Sequence, residues 1–281
     1  MNAFKKLICA SAVALSMAGA ANAGPVLNNW VFNPTGGGFA GGQVINEYLD
    51  VNGNAFIRLT DTGNNNFNFT ETAVFNITQA DSNGKLFPVT YAGGNITATF
   101  TAEGTGTFGG AFSFTGGTIR MYQNQTNGQY GSTAGHYGAD LGNVIAEFNV
   151  LAGGGGTVDA SGSPVNNGQV SVLAEAAVGG LDAGYFFRKN GKDLSTEAIM
   201  AFAFTNANTV GQVTPNMVSE IACEYAGYCA ADAGTNTGSH FFVSNNGQFK
   251  LNEVPEPGSL ALFGIAMLGA GFVSRKRANK A

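Results

Sequence analysis

Apolar and polar residues alternate along most of this 281-residue chain, and turn-forming residues break the alternation at short intervals. The run 48–51, the pair Asn52-Gly53 and the run 55–59 predict a hairpin on a two-residue turn. Asn-Gly recurs at 83–84, 127–128, 167–168, 190–191 and 246–247, and both residues tolerate the positive φ that a type I′ turn needs. Further strands are predicted at 67–77, 87–91, 96–102, 110–114, 118–123, 144–150, 169–175, 184–188, 200–204, 240–243 and 248–251. So many short strands predict an all-β fold, an antiparallel β-sandwich or jelly roll. One or two short helices interrupt it near 194–226. The first covers 195–200 behind a cap at Asp193 or Ser195; the second opens at Thr214-Pro215-Asn216 and runs to about Ala226, with Gly227 after it. Gly153 to Gly156, followed by Ser161-Gly162-Ser163-Pro164, is the most linker-like stretch; a single domain is favoured over a division there.

The two ends depart from this pattern. Lys5 and Lys6, an apolar stretch from Leu7 to Ala20 and the small residues Ala21 and Ala23 make residues 1–23 a secretory signal, with cleavage expected after Ala23. At the other end Val254-Pro255-Glu256-Pro257 precedes an uncharged apolar stretch, predicted as a C-terminal hydrophobic helix, and then Arg275, Lys276, Arg277 and Lys280. An apolar segment backed by cations enters a bilayer and stops with the cations on the cytoplasmic side. From Gly258 to Val273 it falls short of the ~20 residues that cross comfortably, which suits a temporary hold. The expected organisation is a signal peptide (1–23), a secreted passenger (24–253) and a sorting tail with a short transmembrane helix (254–281).

Charge changes the picture once the ends are set aside. The whole chain has a net charge of −5, but the passenger holds 7 Lys+Arg against 17 Asp+Glu, a net −10. A sparse acidic surface excludes nucleic acid, whose phosphates need clustered cations. Only 11% of the chain is charged, against ~25% in an ordinary soluble domain. Gly, Asn and Thr fill the difference, leaving a surface of amides and hydroxyls. The 22 Phe and 8 Tyr supply enough apolar area for a folded core.

Candidate chemistry is scarce. Cys223 and Cys229 remain after the signal leaves, and their close spacing in an oxidising compartment reads as a disulfide, with a metal pair or redox dithiol as alternatives. Gly104-Thr105-Gly106-Thr107-Phe108-Gly109 fits G-x-G-x-x-G, but a strand-like run follows where a phosphate-binding motif needs a helix. Asp50, Asn52, Asn54 and Asp61 resemble part of a calcium loop, yet Ala55 stands where glycine is required. His136 and His240 bring no catalytic motif with them, and four N-x-T sequons read as Thr-rich strand composition. No catalytic residue, metal or cofactor is predicted.

The order Val254-Pro255-Glu256-Pro257, apolar segment, basic cluster resembles the PEP-CTERM sorting tail. That resemblance implies an exosortase, a membrane enzyme that recognises Pro255, Glu256 and Pro257 and cuts near them. It also implies transient residence in the inner membrane, then the cell surface or extracellular matrix. The Phe/Asn/Gly-rich passenger with its late cysteine pair is further similar to flocculation-associated PEP-CTERM proteins. The resulting expectation is a non-enzymatic surface protein associated with exopolysaccharide or a cell-surface glycan, in biofilm or floc. The alternative is a secreted polysaccharide-acting enzyme on a jelly-roll scaffold.

Overall fold

The computed structural model describes residues 24–82, 85–89, 95–124, 138–165 and 168–254. Ala21, Ala23, His136 and the whole tail from Pro255 onward, including the expected hydrophobic helix, lie outside them. The chain divides into two units. One is Val26–Leu251; the described part of the other is residues 24–25 and 252–254. In the latter, Glu253 N donates to Pro25 O (3.0 Å) and Asn252 Nδ2 donates to Gly24 O (2.9 Å).

In chain order the strands are β1 (Trp30–Phe32), β2 (Gln43–Ile45), β3 (Tyr48–Gly63), β4 (Asn66–Ser82), β5 (Lys85–Pro88), β6 (Asn95–Thr107), β7 (Ala111–Asn124), β8 (Asn143–Val150), β9 (Gly153–Thr157), β10 (Gly168–Ala176), β11 (Phe186–Phe187), β12 (Ile199–Thr209) and β13 (His240–Asn252). The main sheet runs β12-β13-β3-β4-β6-β7-β8-β10, and β10 pairs back onto β12 from Gly168↔Ala207 to Ala176↔Ile199. The sheet therefore closes on itself. The fold is all-β and antiparallel as expected, but it is an eight-strand barrel and not a sandwich or jelly roll.

Closure follows from strand length and bulges. β3, β4, β6 and β7 are each 13 to 17 residues long. Register shifts at Asp50/Val51, Asp61/Gly63, Glu103/Gly104 and Met121/Tyr122 bend them, and bulges of this kind let a sheet coil into a barrel. Alternation shows only that one face of a strand is buried. It is silent on whether a second sheet or the far wall of the same sheet covers that face.

Two other expectations change. Asn52-Gly53 lies inside β3, opposite Asn246 and Asn245 of β13. The inward parity Leu49, Val51, Gly53, Ala55, Ile57 runs through it unbroken after the bulge, so no turn forms there. The β3–β4 turn uses Asn64 and Asn65 instead, with φ of 53° and 65° as a type I′ turn requires. The linker-like glycine stretch forms β9, which pairs with β7 and β10.

A second, three-stranded sheet of β11, β1 and β2 shares the barrel's core, stacking Trp30 and Phe186 6.2 Å apart. The second helical stretch stands close to expectation, whereas the helix expected over 195–200 is only a 3₁₀ turn, because Ile199 and Met200 pair with β10 as the start of β12. A 3₁₀ turn at Leu194–Thr196 is capped by Asp193, which accepts from Ser195 N. Helix α1 (Pro215–Met217), capped by Thr214, continues as a π-helix over Val218–Tyr225. This helical stretch covers part of the outer wall: Met217, Ile221 and Ala222 pack on Phe56, Val74 and Phe242. Cys223 and Cys229 are joined by a disulfide with Cα atoms 4.5 Å apart, tying the π-helix to the loop beyond it.

Candidate functional site

Two places in the barrel gather polar groups, one on each side of the wall formed by β3, β4, β6 and β7. Along these strands side chains alternate between lumen and exterior, so a residue's parity decides which place it serves.

Outside, the exposed residues form rows in register. Thr60, Asn68, Thr105 and Ser113 are successive cross-strand partners on β3, β4, β6 and β7. Arg58, Thr70 and Glu103 form the next row, and Asn66 with Thr107 a third, where Thr107 Oγ1 donates to Asn66 Oδ1 (3.0 Å). The surface dips into two hollows of about 420 and about 360 Å³, both lined by Asn68 and Thr105, which make one continuous trough. Its charged groups are Arg58, whose guanidinium lies 4.8 Å from the centre of the Tyr228 ring, and Glu103. Gly104 and Gly106 face the other way, against Phe69 and Phe67, their cross-strand partners; a Cβ on Gly104 would meet the Phe69 ring at 2.4 Å. The G-x-G stretch thus serves aromatic packing.

Inside, the lumen is apolar except for Glu71, Asn245 and Thr205 among the side chains lining its two cavities, of about 60 and about 30 Å³. Phe75, Phe100, Phe114 and Met121 line the larger; Phe67, Phe69 and Phe112 line the smaller. Glu71, Val170 and Asn245 border both, so the polar pair sits at the waist. Glu71 is 9% exposed and Asn245 3%. Among the described residues no hydrogen bond reaches the Glu71 carboxyl or the Asn245 amide. Burial alone pushes the Glu71 carboxyl up from the ordinary carboxylate range to about 7. Gly53 faces Asn245 across the β3–β13 pair, and a Cβ there would meet Val74 O at 2.0 Å and the Phe75 ring at 2.7 Å, so glycine serves close packing.

The remaining titratable groups hold structure. Glu197 pairs with Arg188 (2.6 Å) and Lys192 (2.7 Å), and the Arg188 hydrogen bonds chiefly bring it down to about 2. Tyr225 donates to Asp140 (2.8 Å), and Glu220 is pushed up to about 7, by burial first and then by Glu224 and Asp140. His240 is buried, with its Nε2 3.1 Å from Asp232 O and its ring 5.1 Å from Tyr228. Asp50, Asn52 and Asn54 lie along β3, where Asp50 accepts from Gln79 (2.9 Å). Among the described residues no group of three or more His, Cys, Asp or Glu is placed to hold a metal.

Of the sorting residues, Val254 is described and exposed. Pro255, Glu256, Pro257, Arg275, Lys276 and Arg277 lie outside the described residues, and no helix among the described residues is long and apolar enough to cross a membrane.

Fold and tail together define an exported all-β barrel protein. Residues 253–277 match the family described as the PEP-CTERM protein-sorting motif, so the chain carries the signal of an exosortase substrate, exported by that membrane-anchored route to the cell surface. No curated protein and no solved structure matches the chain.

Proposed function

We propose that the barrel, once released from its sorting tail, is a non-enzymatic surface or matrix protein that associates with neutral exopolysaccharide in a biofilm or floc. The observation that carries this reading is the outer trough. Neighbouring strands are about 4.8 Å apart, so the row Thr60, Asn68, Thr105 and Ser113 presents a hydroxyl or amide at regular steps across the wall. A polysaccharide lying across the strands meets a donor or acceptor at every strand. Its own hydroxyls pair with Asn and Thr without the desolvation cost of charged groups.

The enzyme reading draws less support. Glycoside hydrolysis uses two carboxyl groups facing one sugar bond, whereas Glu103 is the one carboxylate lining the trough and Glu71 faces the lumen. Affinity electrophoresis of the mature protein through gels containing the host's exopolysaccharide tests the proposal. Wild type is retarded, and Asn68→Ala/Thr105→Ala loses at least fivefold in affinity at unchanged melting temperature. Absence of retardation for wild type overturns the reading, and release of reducing sugar replaces it with the enzyme.

A further inference from the structure

The lumen poses a separate physical problem. A carboxyl facing apolar walls with no protein partner costs about 1–3 kcal/mol even when neutral, and more when ionised. Asn245 sits beside it in the same condition. Leucine or methionine at these two positions would fill the waist and remove both costs. Two polar side chains without a protein hydrogen bond, supplied by β4 and β13 and both bordering the waist, point to a site whose partner is a ligand.

Water can satisfy the waist but not the walls. The cavities have room for about two waters and one, at ~30 Å³ each, and a buried water needs two to four polar partners. Around the waist the polar side chains are Glu71, Asn245 and Thr205, and away from it the walls are Phe, Val, Ala, Ile and Met. The space therefore suits a molecule with an apolar body on either side of one polar atom. Protonated Glu71 offers an O–H and Asn245 an N–H, and both side chains border both cavities.

We propose that the barrel lumen binds a small uncharged carbonyl compound, a short-chain ketone or ester, whose oxygen accepts from Glu71 and Asn245 while its alkyl arms occupy the two apolar cavities. The volumes limit the body to roughly four to six heavy atoms. Carboxylates are excluded, because the lumen offers them no cation. Glu71 faces Ile57 of β3 and Ala102 of β6 across its strand pairs and shares cavity lining with Val170 of β10 and with Phe241, Val243 and Asn245 of β13, none of them titratable. Binding falls as Glu71 ionises and its donor is lost; for a carboxyl near 7 the neutral fraction at pH 8.5 is about one thirtieth.

Ligand-observed NMR of the mature protein with 2-pentanone, pentane and pentanoate tests this. The expected result is saturable binding of 2-pentanone at pH 5.5, at least tenfold tighter than pentane, with none of pentanoate. Affinity should drop about thirtyfold by pH 8.5. Glu71→Gln keeps a donor and should bind with no pH dependence, while Glu71→Leu should lose at least tenfold with the circular-dichroism spectrum intact. No saturable ketone binding by wild type, or equal binding by Glu71→Leu, overturns the proposal. These outcomes are independent of polysaccharide binding, which takes place on the other face of the wall.

Discussion

Replacing Glu71 by Gln keeps the shape of the side chain and removes its titration, which makes the lumen's energetics measurable. The unfolded chain gives up this proton near 4.5, whereas the folded barrel holds it to about 7. The contribution of Glu71 to folding is therefore most favourable below pH 4.5, where both states are protonated. Stability falls as pH rises from 4.5 to 7 and levels off above, where both states are ionised. Integrated over that interval, the loss is about 3 kcal/mol. Glu71→Gln pays none of it. The variant should match wild type at pH 4 and exceed it by about 3 kcal/mol at pH 8, roughly 6–12 °C in melting temperature for a barrel of this size. Thermal melts followed by circular dichroism at half-unit steps from pH 4 to 9 provide the assay. Glu220 shifts in the same direction, so the variant keeps some slope of its own and the difference between the two curves isolates Glu71. Curves that stay parallel across the range would refute the placement of a neutral carboxyl in the lumen.

Other perturbations test the wall and its covering helix. Gly104→Val should cost more than about 3 kcal/mol in urea denaturation, because its Cβ would lie 2.2 Å from Ser113 O and drive the branched side chain into Phe69. Phe56→Ala, beneath the π-helix, should cost about 3–5 kcal/mol and raise hydrogen exchange first at 218–225. Cys223→Ala/Cys229→Ala closes no loop in the unfolded chain, and with the cysteines only six positions apart it should cost less than the ~3 kcal/mol of a 15-residue loop, with faster exchange confined to 218–229.

The sequence made the strands legible but not their arrangement. β3 shows why. Its inward residues Leu49, Val51, Ala55 and Ile57 are plain in the text, yet Asn52-Gly53 carries the strongest local turn signal in the same stretch. Pairing with β4 on one side and β13 on the other overrides that signal, and the turn moves to Asn64-Asn65, where the alternation ends. Helix α1 was readable because Thr214 and Pro215 act locally, through a cap and a fixed φ. Glu71 was missed among seventeen passenger acids. One signal was present: it occupies an inward position in the series Phe67, Phe69, Glu71, Ala73, Phe75, the one acid in that run of apolar residues. Asn245 stands likewise between Val243 and Phe249, but its meaning depends on lining the same cavities as Glu71, a relation only the closed barrel creates.

The central claim is that the tail at 253–277 is a processing signal for delivery to the surface. Intact-mass and terminal-peptide analysis of surface protein from the native host, alongside the Pro255→Ala/Glu256→Ala/Pro257→Ala variant, tests it most directly. Wild type should begin at Gly24, end near Pro257 and lack Arg275, Lys276 and Arg277, while the variant should stay in the inner membrane with its tail intact. Surface protein that retains residues 258–281, or a variant delivered as efficiently as wild type, would contradict the account.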